Sequence, residues 1–305
     1  MIQYQFIAAW AFVSRTSDWG LNAILRRCAV VSRLLFLYPV AFSRIVNALA
    51  TPKLLKLTKK EPIIFIKFSW PIYAHNFSVG ERAALFSNHY KFLQQRFTGS
   101  FLNRIIDGRV TIWDACFEST SLRICMAVSY PATLGEGELN LHFQVNSADV
   151  YVLSFVIVPN RFPGSDLENS IFVTRLQGTK GCANAIRLAT KSVGDVSPPL
   201  ILMAAVQGIA MALAIRFVLG INAKEQLSSD GRPPTLDLIS AYDEFWDSIE
   251  GKRLASGLFQ FPIPLPEKPL ALIKQNHRTR VRSRRAFRNK VTERVCAEIE
   301  DIREP

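Results

Sequence analysis

Residues 171–191, IFVTRLQGTKGCANAIRLATK, combine the residue types that hold a phosphate. An apolar, β-branched run from Ile171 to Thr174 enters a turn holding Gly178, Lys180 and Gly181, and a helical pattern resumes from about Asn184. Glycines let backbone approach an anion closely, the first N–H groups of a helix point outward unpaired, and the helix dipole favours negative charge. Gln177, Gly178, Thr179, Lys180 and Gly181 are therefore the expected contacts for a donor phosphate, with Arg187 as a further countercharge. The bland reading is a tight strand-to-helix turn with a solvated lysine. Cys182 reads either as a reactive thiol or as a small filler of that turn.

Three other groups carry candidate acid–base chemistry. His89, on a helix beside Tyr90, can serve as a general base, or it is a partly buried histidine bonded to backbone. Glu136 and Glu138 flank a hairpin glycine, and Glu138 shares a strand face with His142, so the carboxylate can orient the imidazole. Asp243 lies in the segment YDEFW (Tyr242–Trp246), where acids beside aromatics can bind an amine or simply face water on an amphipathic helix. The expected bases are His89, Glu138 and Asp243, in that order. No HExxH, CxxC pair or histidine cluster has metal spacing, so no metal is expected.

The elements that position these groups follow from the hydrophobic pattern. Residues 1–60 mix apolar residues and arginines at helical spacing, with Pro39 and Pro52 as breaks. Packing onto a core is the main reading for them, and peripheral membrane contact the alternative. EPIIFIKFSW (61–70) is an apolar run, and a helix is expected from about Val79 to Thr98. From Gly108 the period changes to that of strands: 110–115, 122–130, 138–145, 150–158 and 171–176. Gly135-Glu136-Gly137 supplies a hairpin turn, and 160–164 a loop. A helix over 183–192, a buried helix over 199–214 and a strand over 215–221 follow. Residues 236–250 read as helical, 257–263 as a last strand, and a proline-rich segment then leads to a basic helix over 274–294.

The bulk numbers bound the rest. The chain has 305 residues, 37 Lys+Arg against 25 Asp+Glu, a net charge of +12 and 49% hydrophobic residues. Global disorder is excluded, and the basic surface favours anionic partners. Five scattered cysteines read as reduced thiols. No secretory signal is evident, and 199–214 is short for a span. A cytoplasmic location, with peripheral contact to the inner membrane as the variant, is expected.

Several motifs carry a family likeness over roughly residues 80–290: HY at His89-Tyr90, EGEL at Glu136–Leu139, LSF at Leu153–Phe155, LQG at Leu176–Gly178, IRxxTK at Ile186–Lys191 and YDEFW. With these the chain resembles the bacterial VirK/YbjX family, whose members are linked to virulence and antimicrobial-peptide tolerance. It departs from the family at 194–198 and at Gln226, where the family's histidine would fall. The meander, glycine turn and following helix–strand unit also look like a GNAT-type acyltransferase core. Arg175–Lys180 matches the first half of that fold's glycine signature. In that fold the turn holds the pyrophosphate of acyl-CoA or the phosphopantetheine of a carrier protein.

The expected fold class is thus α+β: a GNAT-like, mostly antiparallel sheet flanked by helices. An N-terminal helical region (1–78), the core (79–265) and a proline linker with basic C-terminal helix (266–305) are the expected parts. The expected function is transfer of an acyl or aminoacyl group from a CoA, carrier-protein or tRNA-linked donor to an amine or hydroxyl. No tightly bound cofactor is implied; the thioester donor is a co-substrate. The basic tail would attract an acidic acyl-carrier protein or a tRNA-linked donor, and with one interleaved aromatic, Phe287, direct nucleic-acid binding is disfavoured. The alternative is a non-enzymatic envelope protein that binds anionic lipid or protein partners.

Overall fold

A computed structural model describes residues 21–118, 120–129, 135–159, 169–229 and 231–304. The loop expected over 160–164 lies outside the described residues. The chain opens with helices α1 (Leu21–Leu37), α2 (Pro39–Leu49) and the short α3 (Leu55–Lys60). Pro39 starts α2 at the position where a missing N–H costs nothing. The apolar run 61–70 becomes two 3-10 turns, Pro62–Phe65 and Lys67–Ser69, rather than a strand or a long helix. Helix α4 (Val79–Arg96) begins with a capping box between Ser78 and Glu81, and α5 (Gly99–Asp107) is capped by Thr98.

The meander then forms as the period-2 pattern predicts. Strands β1 (Val110–Phe117), β2 (Thr120–Val128), β3 (Leu139–Val145), β4 (Ala148–Pro159) and β5 (Asn169–Gly178) pair in sequence, all antiparallel. Helix α6 (Ala183–Ser192) and the apolar α7 (Pro198–Ala212) carry the chain back to β6 (Phe217–Gly220), which pairs parallel to β5. The helical segment 236–248 is three pieces: α8 (Leu236–Ile239), a π-helical turn (Ser240–Glu244) and α9 (Phe245–Ser248). Short β7 (Lys252–Arg253) and β8 (Phe259–Pro262) complete one sheet of order β1-β2-β3-β4-β5-β6-β8-β7. The basic helix α10 (Arg278–Ile302) ends the described fold.

Strand β4 is buried at every position from Val152 to Val158, so both faces of the sheet centre are covered. The cover comes from α4, backed by α2, and from α7, backed by α10. Gly208 on α7 allows that backing: a Cβ there would stand 2.5 Å from the Thr292 carbonyl oxygen. One continuous set of buried apolar side chains runs from Val31 on α1 through the sheet to Ile299 on α10, crossing both expected part boundaries. The structure is a mixed α+β fold, with a mostly antiparallel sheet and a C-terminal helix.

Candidate functional site

Strands β5 and β6 run side by side only from Ser170–Phe217 to Val173–Gly220. The last link is Ile221 N–H to the Val173 carbonyl, 3.0 Å. Beyond it β5 continues to Gly178 while the chain after β6 turns away. The register shift between β4 and β5 falls at the same level, with Thr174 left between the paired positions Val173 and Arg175. Parting strands leave backbone and side chains without a strand partner, and three segments converge there.

The YDEFW segment holds the parting open. Trp246, fully buried, packs its indole where a Cβ on Gly220 would lie, 2.7 Å from ring carbon, and its Nε1 donates to the Ile221 carbonyl at 2.7 Å. The Leu176 N–H, on the edge of β5 that β6 has left, donates to the Tyr242 hydroxyl at 3.3 Å. Asp243 accepts the Ala223 N–H at 2.7 Å and Arg253 Nη2 at 3.0 Å. The π turn spends one extra residue so that these side chains reach both strand ends. Asp243 is thus tied to backbone, in the role of a loop anchor.

Next to Tyr242 lies a polar cluster. Arg175 of β5 donates to Glu136 Oε2, and Gln226 Nε2 donates to Glu136 Oε1 at 3.1 Å. Gln226 Oε1 in turn accepts from Ser228, whose hydroxyl also lies 3.4 Å from Gln177 Nε2. Arg175 Nε is buried and has no hydrogen-bond partner among the described residues, which leaves one donor of the guanidinium free. Burial, with the Glu136 charge adding to it, pushes the Tyr242 phenol far above its ordinary range, so it stays protonated. The sequence offers Arg175 only as part of a glycine signature and Gln226 only as the place of a missing histidine. The structure joins both to Glu136.

Gly137 separates the two glutamates of the EGEL motif and presses against β4; a Cβ there would meet Phe155 N and Ser154 Cβ at 2.9 Å. On its other side Glu138 enters the core. Lys67 Nζ and the Tyr73 hydroxyl donate to Glu138 Oε1 at 2.7 and 2.6 Å, and the Tyr90 hydroxyl donates to Oε2 at 2.7 Å. Lys67 also donates to the Gly137 carbonyl at 3.0 Å. Burial first, and then the carboxylate charge, pushes both phenols well above their usual range. Glu138 is 2% exposed, so no substrate reaches it. Its expected partnership with His142 does not form: His142 faces Asp149 at 3.0 Å across the β3–β4 hairpin. Lys67 and Tyr73 were missed by the sequence reading. The available signal was a lysine inside the apolar run IIFIKFSW, which demands a buried partner.

His89 is also withdrawn from solvent. Its Nδ1 accepts the Ile157 N–H of β4 at 3.0 Å, and burial, then the charge of Lys67, lowers its pKa to about 3. The sequence favoured it as the base; the packing of α4 on β4 makes it a neutral core group instead.

The glycine turn follows β5 directly. Gly178, Thr179, Lys180 and Gly181 are exposed, Gly181 has φ +84°, and the Thr179 N–H is tied to the Val150 carbonyl at 2.9 Å. Cys182 stands at the N-cap of α6 without a side-chain cap bond. Arg187 is one turn into α6 and donates to Asn184 at 2.7 Å. Arg175 and Gln177 thus share β5 with the turn, whereas His89 and Glu138 lie in the core. Along the extended end of β5 the three steps from Arg175 to Gly178 span ~10 Å. A separate cavity of ≈ 250 Å³ lies between α7, α10 and the proline segment, lined by Leu200, Met203, Gln207, Pro266 and Arg288 among others, and contains none of the expected site residues. Much of the basic charge on α10 is used internally: Arg280 and Arg284 pair with Asp195, and Arg285 and Arg288 with Glu267.

The chain belongs to the protein family of unknown function DUF535, whose model matches residues 23–297. No curated protein matches the chain, and no solved structure matches it.

Proposed function

We propose that this member of the family is an acyltransferase-like protein. It would move an acyl or aminoacyl group from a phosphate-bearing thioester donor to an amine or hydroxyl. The observation that carries the reading is the parting of the parallel pair β5–β6, with the Glu136–Arg175 cluster and the exposed glycine turn that follows Gly178 both at the C-terminal end of β5. The order of meander, parallel pair and antiparallel strand resembles a GNAT-type core. In this reading Lys180 and the turn hold the donor phosphate, and Arg187 adds charge. The partly exposed Arg175 guanidinium binds an oxygen of the acyl group, and Glu136 holds the acceptor near it. The acceptor nitrogen or oxygen bonds to the carbonyl carbon and releases its proton to solvent. The C–S bond breaks, and the departing thiolate takes its proton from solvent. Within the family, the motifs around EGEL and YDEFW favour the VirK/YbjX group.

Native mass spectrometry with acyl-CoA and with acyl-carrier protein tests the reading. Binding of a thioester donor, weakened in Lys180→Ala, supports it, as does loss of transfer in Glu136→Gln with binding retained. A chain that binds no thioester donor, or one whose binding ignores Lys180→Ala, refutes it.

A further inference from the structure

Helices α1 and α2 meet at 113°, and the side chains at their corner face away from the protein. Phe36, Leu37, Tyr38, Pro39 and Val40 are five consecutive exposed residues, with Phe36 86% and Val40 65% accessible. The corner is not a loose end. Val31 and Leu34 before it, and Ala41, Phe42, Ile45 and Val46 after it, are buried in the core. The Tyr38 N–H donates to the Leu34 carbonyl at 2.8 Å, and the Phe42 N–H to the Tyr38 carbonyl at 2.9 Å, so the bend is fixed by backbone bonds. A rigid apolar projection of this kind marks a contact surface.

The charge around the corner states what it contacts. Arg33 lies one helical turn behind Phe36 and Leu37, and Arg44 one turn beyond Val40, each on the same face of its own helix. Both are exposed, and neither forms an ion pair with a described residue. Between Asp18 and Glu61 the chain holds eight Lys and Arg and no Asp or Glu; Lys53, Lys56 and Lys60, beyond α2, are taken up by Glu304, Asp107 and the Ile106 carbonyl, which leaves Arg33 and Arg44 as the cations flanking the corner. An apolar tip backed by a collar of long cationic side chains matches the layering of an anionic bilayer, with acyl chains outside the collar and phosphates at it.

We propose that the α1–α2 corner is a membrane-docking wedge for anionic lipid surfaces. Phe36, Leu37 and Val40 enter the acyl region, Tyr38 sits at the headgroup level, and Arg33 and Arg44 meet the phosphates. The wedge penetrates one leaflet and anchors the chain without spanning. This inference stands on α1 and α2 alone and does not depend on the transfer reading of the β5–β6 site.

Co-sedimentation of the full chain with vesicles tests it, using phosphatidylcholine alone and phosphatidylcholine with about one-third phosphatidylglycerol. The chain is expected to pellet with the anionic vesicles. The double variant Phe36→Glu/Val40→Glu is expected to bind about tenfold more weakly or less, and Arg33→Gln/Arg44→Gln to lose the salt-sensitive part of the binding. Unchanged thermal melts of these surface variants exclude misfolding as the cause. The proposal is overturned if the wild-type chain stays in the supernatant with anionic vesicles, or if the glutamate variant pellets as well as wild type. It is equally overturned if the corner proves to join two copies, seen as a dimer that the glutamate variant splits in sedimentation velocity while vesicles bind neither form.

Discussion

Replacing Glu138 with leucine removes the acceptor of three buried donors at once. Lys67 would keep only the Gly137 carbonyl, and the Tyr73 and Tyr90 hydroxyls would lose their partner. With Lys67 and Glu138 side chains 2% and 1% exposed, water does not substitute for them. Leaving one charge of a buried pair uncompensated costs about 3–5 kcal/mol. Each orphaned hydroxyl adds about 1–3 kcal/mol. These groups share one site, so the sum is not additive, and a loss of at least about 4 kcal/mol is the working figure. That is a large part of an ordinary domain stability of about 5–15 kcal/mol. Urea unfolding followed by tryptophan fluorescence and circular dichroism reads it as a lowered midpoint at constant slope. The fourfold variant Lys67→Met, Tyr73→Phe, Tyr90→Phe, Glu138→Leu removes every donor with the acceptor and is expected to regain most of the loss. A Glu138→Leu cost under ~1 kcal/mol, or a fourfold variant no more stable than the single one, refutes the reasoning.

Other consequences are equally direct. Gly208→Ala forces α7 and α10 apart and is expected to lose at least ~1 kcal/mol despite alanine's better helix propensity, whereas Gly80→Ala, with nothing within 4 Å of its added Cβ, is expected to be neutral or stabilising by urea titration. His89 has a folded pKa of about 3, below its unfolded value near 6.5, so the unfolded chain binds the proton first. Its contribution is present above about pH 6.5 and is lost as pH falls toward 3, at up to ~1.4 kcal/mol per unit; His89→Gln is expected to flatten stability between pH 7 and 5 by that amount. Asp243→Asn keeps an acceptor for the Ala223 N–H and should leave donor binding and transfer intact, while Asp243→Ala should cost ~1–3 kcal/mol in stability. Loss of activity in a stable Asp243→Asn would restore its role as a base.

What the residues disclosed depended on how local the physics was. The strand β5 and its glycine turn were legible because β-branched residues, glycines and the following helix start lie within twenty positions. α4 was legible from the spacing of Ala83, Phe86, Tyr90 and Leu93, and the meander from alternation. The site partners were not legible, because they are distant: Glu138 meets a lysine 71 positions earlier, and Glu136 meets residues 39 and 90 positions later. Burial also reversed roles. His89 and Glu138 have the right chemistry for a base, but only packing decides that both face the core. The 3-10 turns of 62–69 escaped the pattern because an apolar run without period fits strand and helix equally.

Helix α10 carries one consequence for how the chain is made. It lies on α7, brings Phe287 to Trp113 and Phe117 of β1, and reaches Asp114 through Arg294, 180 positions away. The Thr98 N–H takes the Ile302 carbonyl, and the Glu304 N–H takes that of Arg96. The first strand of the meander therefore waits until α10, about 180 positions later, has left the ribosome before its outer face is closed. Until then the apolar face of α7 stays uncovered on the nascent polypeptide. Closure of this face thus follows synthesis of α10, and the interval before it is when a holding chaperone has a surface to grip.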